Sequence, residues 1–216
     1  MASTVTELVE TKQNGDLLTI SLNRPEKLNA LTPELINGVY EVFEDLAADP
    51  GAHVLLTGNG DVTCAGMDTD IVASDDYDTE FGDVDETMRQ LCEHIGEYPY
   101  PTAMAGKGAV IGAAFGMSVE CDFVILGEDT TFSFPEITYD VCPSVSRIEH
   151  LGDVVGPRVA KEMVMTGEPI DPSQARALGL VNAVVPEDEV DAAATKLLEK
   201  ISEHEADIVR QIGDVF

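Results

Sequence analysis

Two short stretches place glycines where a strand-like run gives way to another element: Cys64-Ala65-Gly66-Met67-Asp68, and Gly108 through Ala114. Backbone N–H groups at such turns are left unpaired, and at the start of a helix they also carry partial positive charge. Two of them aimed at one point would stabilise an oxygen that gains negative charge during a reaction. The same pattern also fits two ordinary turns, and spacing alone does not choose between the readings. Neither turn contains G-x-G-x-x-G or the Walker lysine pattern, so nucleotide phosphate binding gains no support. Cys64, Cys92, Cys121 and Cys142 form no C-x-x-C pair, and His53, His94, His150 and His204 are scattered. No metal site is expected, and the thiols are read as buried and free.

The elements that must hold these turns alternate between strand and helix patterns. Residues 5–10 and 17–22 are β-rich runs, with Asn14-Gly15 as the hairpin turn between the strands. Thr32-Pro33 opens a helix whose apolar face is Leu35, Val39, Val42, Phe43 and Leu46. A buried strand over 54–57 ends at Gly58-Asn59-Gly60. The acidic stretch 68–86 shows little apolar periodicity and is read as a mobile loop before a helix over 84–97. Strands follow over 102–105, 123–126 and 131–134, with a helix over 112–119 after the second glycine turn. Beyond them come helices over 146–151, 158–166, 172–178 and 190–212, the last with a break, and one strand over 181–185. This order predicts an α/β domain with a helical C-terminal part, divided into a core over 1–187 and a helical segment over 188–216.

Charge narrows the partners. Forty-one Asp and Glu face 12 Lys and Arg, a formal net charge of -29. Such a field repels nucleic acid and anionic membranes, so neither is expected as a partner. The acids are spread through amphipathic segments rather than gathered in a tail, which suggests a halophilic protein whose surface stays hydrated in concentrated salt. No run of about 18 apolar residues occurs, and residues 1–10 do not resemble a signal peptide. A soluble, cytoplasmic protein is expected.

Five blocks carry a resemblance. Asn23-Arg24-Pro25-Glu26-Lys27-Leu28-Asn29-Ala30-Leu31 resembles the N-terminal signature of the crotonase, or enoyl-CoA hydratase/isomerase, family. Leu55 to Gly60 with Cys64 to Asp68, Pro101 through Asp122, Phe132-Ser133-Phe134-Pro135-Glu136-Ile137, and Thr166 to Ile170 with Ala177 to Asn182 resemble the later blocks, in family order. The resemblance implies the crotonase/ClpP-like α/β fold: stacked ββα units forming two roughly perpendicular sheets, surrounded by helices. It implies an acyl-CoA substrate and no cofactor, coenzyme A being part of the substrate. It also implies that the N–H groups of Met67 and Ala113 form the oxyanion hole for the thioester carbonyl.

Hydratases of this family are similar in having two glutamates. One matches Glu136; the other falls on Gly116. Adding water across a conjugated double bond divides naturally between two carboxylates. Moving a double bond from C3–C4 to C2–C3 needs one base, which takes a proton from C2 and returns it to C4. The resemblance therefore favours Δ3,Δ2-enoyl-CoA isomerisation with Glu136 as single acid/base, with hydration or a non-catalytic CoA-binding protein as alternatives. Glu120, four residues after Gly116, and Asp140, four after Glu136, are the candidate secondary acids; each also reads as an ordinary surface charge. Tyr139 is a further candidate donor. Arg24, Lys27 and Ala65 are the CoA-binding candidates, the first two reading equally well as surface charge. Family members continue through further helices that cover the acyl pocket and support a trimer or a dimer of trimers. The segment 188–216 is read as shortened relative to them, with a homo-oligomer still expected.

Overall fold

A hairpin signal at Asn14-Gly15 needs two strands that can pair around it, and the computed structural model, which describes residues 2–72 and 82–215, places them there. Strands β2 (Val9–Asn14) and β3 (Leu17–Leu22) are antiparallel, with Asn14 opposite Leu17 and Gly15 at φ +60°. The β-rich run over 5–10 is not one strand: the chain turns at Glu7-Leu8, and β1 (Ala2–Thr6) folds back on β2. Residues 5–10 contain no Gly, Pro, Asn or Asp to mark that turn, so local turn signals miss it.

From β3 inward the sheet is parallel. Its order is β1-β2-β3-β4-β5-β7-β9, where β4 is His53–Gly58, β5 Thr102–Gly106, β7 Phe123–Gly127 and β9 Ala183–Val185. β4 and β5 are buried throughout, as strands covered on both faces must be. A second, two-stranded parallel sheet pairs β6 (Ala109–Ile111) with β8 (Thr131–Ser133). β6 lies inside the stretch read only as a glycine turn; three residues are too few to show a period.

Helix α1 (Pro33–Ala48) starts at Thr32, whose hydroxyl accepts from the Leu35 amide, and buries Leu35, Val39, Val42, Phe43 and Leu46. A short α2 (Thr69–Val72) and the start of α3 (Gly82–Gly96) occupy parts of the acidic stretch that was expected to be loop. Residues 73–81, the rest of that expectation, lie outside the described residues. Helix α4 (Ala113–Glu120) is buried along nearly its whole length. Its Phe115 ring lies 4.5 Å from that of Phe132 and 5.1 Å from that of Phe134, which fixes the helix to β8 and to the segment after it.

Helices α5 (Val145–Val155), α6 (Pro157–Thr166) and α7 (Pro172–Ala177) follow. The last helical stretch is broken, as expected, into α8 (Val190–Ser202) and α9 (Ala206–Gly213). Val190, Ala194 and Leu198 of α8 pack on Leu17, Leu55, Ala103 and Ile125 of the main sheet. The Asp191 carboxylate accepts from Thr57 Oγ1 at 2.6 Å and from Lys107 Nζ at 2.5 Å. Cys64, Cys92 and Cys121 are buried free thiols, but Cys142 is exposed, because it precedes α5 on a surface segment. Among the described residues no helix is long and apolar enough to cross a membrane.

Candidate active site

The small sheet brings three chain segments side by side. Cys64 bridges Val110 in parallel, its N–H donating to Ala109 and its carbonyl accepting from Ile111. On the other side of β6, Val110 pairs with Phe132 and Ile111 with Ser133. Each segment therefore leaves the sheet in the same direction. The first runs into Gly66-Met67, the second into Gly112-Ala113 at the start of α4, and the third through Phe134-Pro135 to Glu136. These residues converge on one cavity, lined by Ala65, Gly66, Met67, Thr69, Ile111, Gly112, Ala113, Pro135, Glu136, Tyr139 and Val141.

Two glycines are required by this convergence. Gly66 has φ +90°, and a Cβ there would lie 2.8 Å from the Ile111 carbonyl oxygen, so the two turns touch backbone to backbone. Gly112 has φ +59°, and a Cβ there would lie 3.2 Å from Glu136 Oε1. Among the described residues neither the Met67 nor the Ala113 amide has a hydrogen-bond acceptor. The Ala113 amide is also the first of α4, where the helix leaves its donors free. Two unpaired donors on the rim of one cavity can stabilise an oxyanion placed between them.

Glu136 is the one carboxylate lining the cavity among the described residues. It opens a 3₁₀ turn over Glu136–Tyr139, and its Oε2 is buried without a hydrogen-bond partner. Burial pushes its carboxyl up to about 7, against a smaller pull downward from its own backbone amide and from Arg147. A carboxyl titrating near neutrality can both take and return a proton at neutral pH.

The other candidates are placed differently. Glu120 is absent from the cavity lining and accepts from His150 Nδ1 at 2.8 Å; that bond raises the His150 pKa. Asp140 is exposed, in the left-handed conformation that ends the 3₁₀ turn. Tyr139 lines the cavity although it is 57% exposed, so it stands at the mouth. Arg24 Nη1 donates to the Ala30 carbonyl and, at 2.6 Å, to Asp68 Oδ2; that contact holds the Asp68 carboxyl below the usual range. Lys27 is exposed and 3.7 Å from Asp70. Ala65 is on the cavity wall.

Residues the sequence reading passed over complete the site. Asn29, fully buried with φ +53°, donates to the Asn59 and Val62 carbonyls and accepts from the Arg24 amide, which ties the 23–31 block to the turn after β4, while the Leu31 amide donates to the Gly66 carbonyl. Arg147 of α5 lies against Gly116. No local pattern pairs two residues 31 positions apart, and the only signal was the missing side chain at Gly116.

The chain has relatives in sequence and in overall fold. The chain is 33% identical over 201 residues to a 2,3-dehydroadipyl-CoA hydratase of Escherichia coli, covering 93% of this chain and 77% of that protein. It is 34% identical over 180 residues to a hydroxycinnamoyl-CoA hydratase-lyase of Pseudomonas fluorescens, covering 77% and 62% respectively. The solved structure of an enoyl-CoA hydratase from Bacillus anthracis resembles it with a TM-score of 0.88 and 26% identity, over 96% of this chain and 81% of that one. With the family pattern matched continuously over residues 12–216, from β2 past the cavity to the last helix, the chain belongs to the enoyl-CoA hydratase/isomerase family.

Proposed function

We propose that this family member moves a double bond, converting a 3-enoyl-CoA to the conjugated 2-enoyl-CoA with Glu136 as its single acid/base. The observation that carries the reading is that Glu136 is the one carboxylate lining the cavity among the described residues, while the face of α4 where hydratases resemble one another in holding a second glutamate has Gly116 with a guanidinium against it. In this reading the thioester carbonyl sits between the N–H groups of Met67 and Ala113. Ionised Glu136 removes a proton from C2, and the electron pair spreads onto the thioester oxygen. The same carboxyl returns the proton at C4, leaving the double bond at C2–C3, so atoms and charge balance within one residue. Exposed Lys27 is assigned to the CoA phosphates.

Hydration is the second reading, because the relatives above carry hydratase names. A trans-3-enoyl-CoA and crotonyl-CoA assayed in parallel separate the two through the absorbance of the conjugated thioester. Isomerisation gives a rise with the first and no loss with the second, and Glu136→Gln abolishes the rise while CoA binding persists. Loss of absorbance with crotonyl-CoA would replace isomerase by hydratase. The acidic surface is read as an adaptation to concentrated salt, so both assays belong in multimolar KCl.

A further inference from the structure

Arg147 occupies the space that a side chain at residue 116 would fill. A Cβ built on Gly116 would lie 2.8 Å from Arg147 Cδ and 3.0 Å from Nη1. Gly116 lies in the first turn of α4, four residues after Gly112, the residue that precedes the helix and whose Cβ position faces Glu136. Arg147 is not among the residues that line the cavity around Glu136; its guanidinium packs against Gly116, where a side chain on α4 would otherwise stand. It is close enough to Glu136 to pull on that carboxyl's ionisation.

Its partners are few. The Nε–H donates to Ser144 Oγ at 2.7 Å, and that bond orients the guanidinium plane. Four arginines are half-buried: Arg24, Arg89, Arg147 and Arg210. Arg24 is paired with Asp68, Arg89 with Glu86 and Glu93, and Arg210 with Asp214. Arg147 alone has no carboxylate within ion-pair distance among the described residues, in a chain with 41 acids. A partly buried guanidinium without a counter-charge is unfavourable, and its two Nη groups are arranged to take both oxygens of one carboxylate. An acyl group ending in methyl would offer that guanidinium no carboxylate to bind.

We propose that Arg147 is a substrate-binding residue that receives a carboxylate carried by the acyl group, so that the preferred thioester is that of a short diacid. The proposal rests on the acyl-CoA reading of the cavity and not on the isomerase step.

Saturated thioesters, which have no double bond to move or hydrate, test it separately from the chemistry. Binding of succinyl-, glutaryl- and adipyl-CoA would be compared by calorimetry with that of butyryl-, pentanoyl- and hexanoyl-CoA, at one fixed salt concentration. At one chain length the diacid should bind about ten- to a hundredfold more tightly than its uncharged partner. Arg147→Met should erase that preference while leaving affinity for the uncharged partner, and Arg147→Lys should keep part of it. A thermal melt checks that each variant folds. Equal affinity of the unaltered protein for both members of every pair overturns the proposal without any variant. So does a preference that survives Arg147→Met. An assay that finds no isomerisation leaves these affinities, and the proposal, unaffected.

Discussion

A carboxyl in a cavity lined mostly by apolar groups ionises reluctantly, and Glu136 is raised to about 7 mainly by that burial. The shift has a consequence for stability. The unfolded chain releases this proton near 4.5 and the native state only near 7, so between those values the native state holds more protons. Stability then falls as pH rises through that window, and the full cost is present above about pH 7. A shift of this size corresponds to about 3 kcal/mol as an upper figure. Glu136→Gln removes the ionisation, so the variant should be the more stable form at pH 8 by up to that amount. The gap should close below pH 4.5, as read from denaturant unfolding across a pH series. A gap independent of pH would remove burial as the cause. Turnover gives the complementary limb: a base must be ionised, so kcat/KM should rise with one ionisation near pH 7.

At the scale of elements, the site is the meeting of two turns, and that contact can be tested at Gly66. Alanine there would need φ +90° and a Cβ 2.8 Å from the Ile111 carbonyl oxygen, a backbone atom rather than a side chain that can yield. The turn must shift and carry the Met67 amide with it. Gly66→Ala should lower kcat by about 10²–10³, the loss typical of one oxyanion donor. A melting temperature measured on the same sample should fall only modestly. An unimpaired alanine variant would mean that the Met67 amide is not held by this contact.

The two glycine turns were legible because glycine marks a positive φ, and Glu136 because its block was recognisable as a whole. Strand β6, which aims Ala113 at the cavity, was too short to show alternation. The start of α3 was hidden because its first residues carry acids rather than an apolar stripe. The contact between Gly116 and Arg147 could not be read at all, since only the packing of α5 on α4 brings them together.

The molecule as a whole carries a formal charge of -29, and runs such as Glu187-Asp188-Glu189 have no cation between them. Folding draws these carboxylates closer than they stand in the unfolded chain, so their repulsion weighs against the native state. Salt relieves it over a known range: the screening length is about 10 Å at 0.1 M and about 3 Å at 1 M, shorter than most spacings between surface charges. The melting temperature should therefore climb steeply from low salt to about 1 M KCl, and more gently above it. A flat profile would dismiss the halophilic reading of the surface. The same field acts on the substrate of the proposed reaction, because CoA is itself a polyanion and Lys27, the cation assigned to it in that proposal, is already within reach of Asp70. A site that binds phosphates by cations alone weakens as salt is added. Here the long-range repulsion is the larger effect, so affinity for CoA should first rise with KCl, in parallel with the melting temperature. Calorimetric titration of CoA over the same salt series measures it, and a monotonic fall from the lowest salt would show that local cations, not the net charge, govern the approach of the substrate.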